Sequence, residues 1–217
     1  MKTKLLYVCA VALVIALAIP SIAQANLLSN PGLESPTGNN LDPASWLGLR
    51  QYPSTADVEM KTATAEYHEG SQSGRITMTS YTGTEQNLWA GYGQQLSVDE
   101  GVPITASAWL KSTESYGTQA KLQLEFKDIW GSEIDRTYTP PIQGTTDWQL
   151  LEITSVNTPS GTEAVLVNLL IEKGSGSGYG TYYWDETNFE VIPEPNTLLL
   201  LGTGLVGLLG FVKRKRN

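Results

Sequence analysis

The chain has almost no cysteine or histidine: of its 217 residues one is Cys, at position 9, and one is His, at position 68. A zinc site built from His and Cys is excluded by counting, and no disulfide can form within the chain. Ser-His-Asp or Cys-His catalysis would rest on His68 alone, and no G-x-S-x-G nucleophile motif is present. Positive charge is scarce as well, with 14 Lys and Arg against 22 Asp and Glu, a net charge of −8. A field of that sign disfavours nucleic acid and anionic lipid and suits cations or neutral partners. Also lacking between Asn26 and Ile192 is any apolar stripe at helical spacing. Long apolar runs are confined to the two ends.

At the N-terminal end Lys2 and Lys4 precede the apolar run Leu5 to Ile19, Pro20 breaks it, and Ala23-Gln24-Ala25 has the small-x-small form of a signal-peptidase site. Residues 1–25 are predicted to be a signal peptide that takes Cys9 with it. At the other end Pro193-Glu194-Pro195 is followed by the apolar run 197–212 and the basic cluster Lys213-Arg214-Lys215-Arg216. Sixteen residues at a helical rise of about 1.5 Å cover about 24 Å, a little under the ~30 Å hydrocarbon core. The run is predicted to be a single transmembrane helix, its basic tail held in the cytoplasm and everything upstream outside.

Between the ends lies one domain, residues 26–192, long enough to bury a sizeable core. Taking Lys2, Lys4 and the four tail cations from the 14 basic residues, and Glu194 from the 22 acidic ones, leaves this domain 8 basic and 21 acidic side chains, net −13. Its pattern has period two. Ile104, Ala106, Ala108 and Leu110 alternate with Thr105, Ser107, Trp109 and Lys111, and Ala120, Leu122, Leu124 and Phe126 alternate with Lys121, Gln123, Glu125 and Lys127. Further strands are expected at 58–65, 75–80, 88–98, 148–156, 164–172 and 182–191. Turn-rich pieces separate them, and Gly174 to Gly180 reads as a flexible loop before the last strand. Eight or nine strands at this spacing predict an all-β, antiparallel sandwich of the jelly-roll type.

Two resemblances follow from these residues. Pro193-Glu194-Pro195, the Leu/Gly-rich run and the Arg/Lys-rich terminus resemble the PEP-CTERM sorting signal over residues 193–217. That resemblance implies processing by an exosortase near the tripeptide and a role beside exopolysaccharide production, biofilm or floc formation. The domain itself resembles the galactose-binding-like jelly rolls that include many carbohydrate-binding modules. The likeness is carried by Asn26-Leu27-Leu28-Ser29-Asn30-Pro31-Gly32-Leu33-Glu34, Trp46, His68-Glu69-Gly70, Gln95-Leu96-Ser97-Val98 and the closing Tyr182-Tyr183-Trp184-Asp185-Glu186-Thr187-Asn188-Phe189-Glu190-Val191. It implies a structural Ca²⁺ held by Glu34, the His68 to Ser71 loop including Glu69, and Asp185. Oxygen-only ligation of that kind suits a hard cation. Glu34 and Asp185 read equally as ordinary turn and edge-strand acids.

The six tryptophans all fall within the domain, and aromatic faces suit the apolar C–H surfaces of sugar rings. Strand parity nominates the exposed ones. With Ala106, Ala108 and Leu110 inward, Trp109 points outward; with Asp185, Thr187 and Phe189 inward, Tyr182 and Trp184 point outward; Trp89 lies opposite Leu88, Ala90 and Tyr92. Each of the four reads alternatively as cover for a sheet face. Trp46 and Trp148 are expected in the core or at the ends of the sandwich. The expected protein is an exported, membrane-anchored and then surface or matrix component, not an enzyme, binding polysaccharide through Trp89, Trp109, Tyr182 and Trp184. A matrix or adhesion protein without glycan affinity, and a glycoside hydrolase whose carboxylate pair the sequence does not single out, remain the alternatives.

Overall fold

A computed structural model describes residues 25–34, 43–51, 58–81, 88–173 and 177–192. Ala23, the rest of the signal peptide to Gln24, Gly174 to Gly176, and the terminal segment with Pro193, Glu194, Pro195 and the run 197–212 lie outside the described residues. Among the described residues the chain is all β. Its strands in order are β1 (Leu47–Gln51), β2 (Val58–Ala63), β3 (Ser73–Tyr81), β4 (Trp89–Ser97), β5 (Pro103–Tyr116), β6 (Thr118–Lys127), β7 (Glu133–Tyr138), β8 (Ile142–Gln143), β9 (Thr146–Asn157), β10 (Ala164–Lys173) and β11 (Gly178–Val191). They pair antiparallel into a six-stranded sheet, β1-β4-β10-β6-β7 with β8 beside β6, and a five-stranded sheet, β2-β3-β11-β5-β9. This is the expected antiparallel sandwich, and residues Asn26–Val191 form one compact unit.

The alternation read from sequence builds the core. Ile104, Ala106, Ala108 and Leu110 of β5 are fully buried, and so are Ala120, Leu122, Leu124 and Phe126 of β6 and Val165, Val167, Leu169 and Ile171 of β10. These residues join one apolar cluster between the sheets, with Trp46 and Leu33 closing it. The N-terminal segment is strapped across β11 by main-chain hydrogen bonds from Leu27 N to Phe189 O, 2.9 Å, and from Thr187 N to Pro31 O, 2.8 Å. With no disulfide present, packing and straps of this kind hold the edge of the sandwich.

One local irregularity overturns part of the sequence reading. Tyr182 and Trp184 were expected outward, yet both are fully buried and belong to the core cluster together with Phe189. The parity argument requires an unbroken strand, and β11 is broken. Its register on β5 shifts between Asp185 and Asn188, where Glu186 adopts φ 42°. An extra residue at such a bulge inverts the alternation, so even positions face inward before it and odd positions after it. The Gly174 to Gly180 stretch is also shorter as a loop than expected, because Gly178 to Gly180 already belong to β11.

Candidate functional site: a groove across the six-stranded sheet

The outer face of the six-stranded sheet is built by register. Gln51 of β1 pairs with Trp89 of β4, Trp89 with Glu172 of β10, Glu172 with Gln119 of β6, and Gln119 with Gln143 of β8. These five residues stand in one row at right angles to the strands, spanning about 19 Å at about 4.8 Å per strand. Side-chain hydrogen bonds join the row in two stretches, Gln51 with Trp89 and Glu172 through Gln119 to Gln143. The Trp89 indole donates to Gln51, Gln119 Nε2 to Glu172 Oε2 at 3.3 Å and Gln143 Nε2 to Gln119 Oε1 at 3.0 Å.

Beside this row the face is hollow. Gly91 and Gly93 of β4 occupy outward positions, and a methyl group on either would stand 2.5 Å from Leu170 or 2.4 Å from Leu49. Their missing side chains let Leu49 and Leu170 settle low and leave a groove of about 450 Å³. Trp89 lines it, with Gln123, Asn168, Glu125, Arg136 and Glu172 among the polar groups. Asn168 is only 2% exposed, and its Oδ1 accepts no hydrogen bond. A buried amide oxygen without a donor is costly, and this one lines the groove.

Charge in the groove is paired off. Lys121 holds Glu172 at 2.5 Å, Lys127 holds Glu125 at 2.5 Å, and Arg136 grips Glu133 through two nitrogens at 2.5 and 2.8 Å. Burial pushes the Glu125 carboxyl up, but hydrogen bonding with Glu133 and Lys127 and the charges of Lys127 and Arg136 outweigh it and hold the group below its ordinary range. The groove is therefore locally neutral within a strongly acidic domain.

The nominated aromatics do not converge. Trp89 alone belongs to the six-stranded sheet; Trp109, Tyr182 and Trp184 belong to the other. Trp109 has the expected outward parity, but its face is covered by the His68 ring, stacked at 3.9 Å and 15°. Trp148, expected in the core or at an end, lies half-buried on the same outer face, edge-on to His68 at 5.6 Å.

The nominated acids do come together. Glu34, Glu69 and Asp185 line one hollow of about 370 Å³ with Gly70 and Glu186. Asp185 is fully buried, its Oδ2 accepting from the main-chain N of His68 at 2.7 Å and of Glu69 at 3.1 Å, its Oδ1 from Glu186 N at 2.8 Å. Burial pushes its carboxyl above the ordinary range against those donors, and the Glu186 charge adds to the rise. No Lys or Arg lines this hollow, so the donor set fits a hard cation. Among the described residues no three His, Cys, Asp or Glu side chains form a ready metal cluster. Gly70 is essential to the arrangement. It sits at φ +73°, and a Cβ there would lie 1.8 Å from Glu34 Oε1. Gly70→Ala should displace Glu34 from its bonds to Ser71, 2.9 and 2.8 Å, and lower stability by about 1–2 kcal/mol for the left-handed backbone alone, measured by urea unfolding; an unchanged midpoint would contradict this geometry.

Sequence reasoning missed Gln51, Gln119, Gln143, Asn168 and both groove glycines. None carries a local signal, because the groove exists only through pairing of five strands distant in sequence.

Comparison with known proteins bears on both parts of the chain. Residues 191–216 match the family described as the PEP-CTERM protein-sorting motif. The chain thus carries a sorting motif that marks it for export with a membrane-anchored C-terminal signal. No curated protein matches the chain. Among solved structures, the CBM22-1 xylan-binding domain of Paenibacillus barcinonensis Xyn10C superposes with TM-score 0.53 at 20% identity, covering 80% of this chain and 98% of that one. A second xylan-binding domain from CBM 22 gives TM-score 0.53 at 16% identity, covering 79% and 97%. The enzymatically active domain of bacteriophage CBA120 tailspike protein 4 gives TM-score 0.54 at 14% identity over 77% of this chain. This chain spans only 21% of that tailspike domain. At these identities the likeness shows the β-sandwich fold alone.

Proposed function

We propose that this is an exported, non-catalytic glycan-binding protein whose sandwich lays a neutral polysaccharide along the groove of the six-stranded sheet. The observation that carries the reading is the cross-strand row Gln51, Trp89, Glu172, Gln119 and Gln143, set by register, with the unpartnered Asn168 oxygen beside it. An indole offers a face for sugar C–H groups, amides and carboxylates offer partners for hydroxyls, and paired charges suit an uncharged chain. Two proteins of similar fold are named as xylan-binding domains. The sorting motif supports an exosortase as the processing partner, and on this reading the protein acts in the surface or extracellular polysaccharide matrix, beside biofilm formation. A Ca²⁺ ion held near Glu34, Glu69 and Asp185 serves stability and takes no part in sugar contact.

A second reading, adhesion to a protein partner without glycan affinity, has one observation in its favour. Ile129 and Trp130 are 72% and 85% exposed at the tip of the β6–β7 hairpin, held there by Asp128 Oδ1 accepting from Trp130 N and Ser132 N at 2.9 and 2.8 Å. Affinity electrophoresis of the full chain in neutral detergent separates the two. Under the glycan reading at least one polysaccharide gel retards the protein, and Trp89→Ala weakens binding by roughly tenfold, about 1.4 kcal/mol, without moving the melting temperature. Free migration in every gel would favour the protein partner.

A further inference from the structure

The row that begins at Gln51 continues past the groove. Beyond Gln119 and Gln143 lies a second hollow, of about 320 Å³, walled by Tyr116 and Thr118. The Tyr179 ring stacks on Tyr116 with centroids 5.7 Å apart and planes 25° apart, and the two are 60% and 42% exposed. Two large rings held parallel in water need a reason, since exposed aromatic surface of this kind marks contact sites.

Their support is built in. Thr118 Oγ1 donates to the Tyr179 carbonyl at 2.9 Å, and the buried Tyr182 hydroxyl meets Ser115 Oγ at 2.7 Å and Thr118 Oγ1 at 2.9 Å. Gly117 turns the chain at φ +62°, and a Cβ there would stand 2.3 Å from the Ser177 carbonyl. The Tyr116 hairpin and the start of β11 are thus pressed together, and both rings ride on fixed backbone. A buried three-hydroxyl network beneath an exposed aromatic pair pre-organises the pair, which lowers the ordering cost of binding.

We infer that Tyr116 and Tyr179 form a terminal subsite that receives the end of a neutral glycan chain laid along the Gln51-to-Gln143 row. The inference rests on the groove reading. It adds that long chains bind more tightly than short ones, because only a chain that outruns Gln119 reaches the tyrosines. Gln119 couples the two regions directly, bonded to Glu172 of the groove on one side and to Gln143 of the hollow on the other.

The test is calorimetric titration of the detergent-solubilised full chain with xylo- and cello-oligosaccharides of two and six units. Wild type, Trp89→Ala, the double variant Tyr116→Ala/Tyr179→Ala and the double Phe variant are compared. The expected result is a roughly three- to tenfold loss of six-unit affinity in the double Ala variant, no loss for two units, and retention in the double Phe variant, which keeps both ring faces. Trp89→Ala should weaken both lengths. Equal six-unit affinity in wild type and the double Ala variant overturns the terminal subsite while leaving the groove standing, and so does an equal loss at both lengths. A wild type that binds neither length of either sugar overturns the groove reading and this inference with it.

Discussion

Trp184→Ala is expected to lose about 3–5 kcal/mol of stability, the range for emptying a buried aromatic site. Trp184 is fully exposed to the core and not to solvent: it lies on β11, the central strand of the five-stranded sheet, between β3 and β5. Its neighbours in the cluster come from both sheets, so local collapse cannot refill the space. Urea unfolding should show the loss as a lower midpoint at nearly unchanged slope. Trp184→Phe should cost much less, because the indole Nε1 is buried without a partner and its removal relieves a desolvated donor. An alanine variant that unfolds at the wild-type midpoint would refute the buried placement and restore the outward parity. Against this, Trp89→Ala on the groove should leave the midpoint alone, so the two tryptophans separate stability from binding.

The contrast shows which parts of the molecule the sequence made legible. Strands with alternating character announced themselves: β5 and β6 carry the alternation that packs between the sheets, β10, buried on both faces, reads as a nearly continuous apolar run, and their expected positions agree with the structure to within a few residues. The missed strands carry no such signal. All but one residue of β7 are exposed, so its sequence has no dry face to read; β8 has two residues inside a turn-rich stretch; and β1 turns its leucines outward toward the groove. Parity failed at the Glu186 bulge, a backbone event that no side chain there predicts. The acid hollow was legible because its residues came from a motif order, whereas the groove depends on the pairing of Gln51, Trp89, Glu172, Gln119 and Gln143, drawn from positions 51 to 172 of the sequence. Trp109 was placed on the correct side of its strand, yet the loop that brings His68 over its face is a tertiary fact.

Chelation should lower the melting temperature of the full chain by about 5–11 °C relative to the same protein in excess Ca²⁺. The figure follows from mass action: ligand at about a hundred times its Kd stabilises by about 2.7 kcal/mol, and a chain of this size shifts by about 2–4 °C per kcal/mol. The physical reason lies in the hollow at the edge of the sandwich. Asp185 is buried there with main-chain N–H donors only, beside Glu34, Glu69 and Glu186, and a divalent cation would offset both the desolvation of that carboxylate and the mutual repulsion of the four acids. It would also clip the N-terminal segment at Glu34 to β11 at Asp185, a cross-link that a chain with no disulfide otherwise lacks. Asp185→Asn keeps an oxygen for the His68 and Glu69 N–H groups but removes the charge and the acceptor of the Glu186 N–H, so it should melt lower than wild type and respond little to Ca²⁺. Mg²⁺, which demands a tighter octahedral shell, should substitute poorly. Equal melting of the wild type in chelator and in Ca²⁺ would show that the acids are held by hydrogen bonds alone, and the edge would then owe its order to the Leu27 and Thr187 straps.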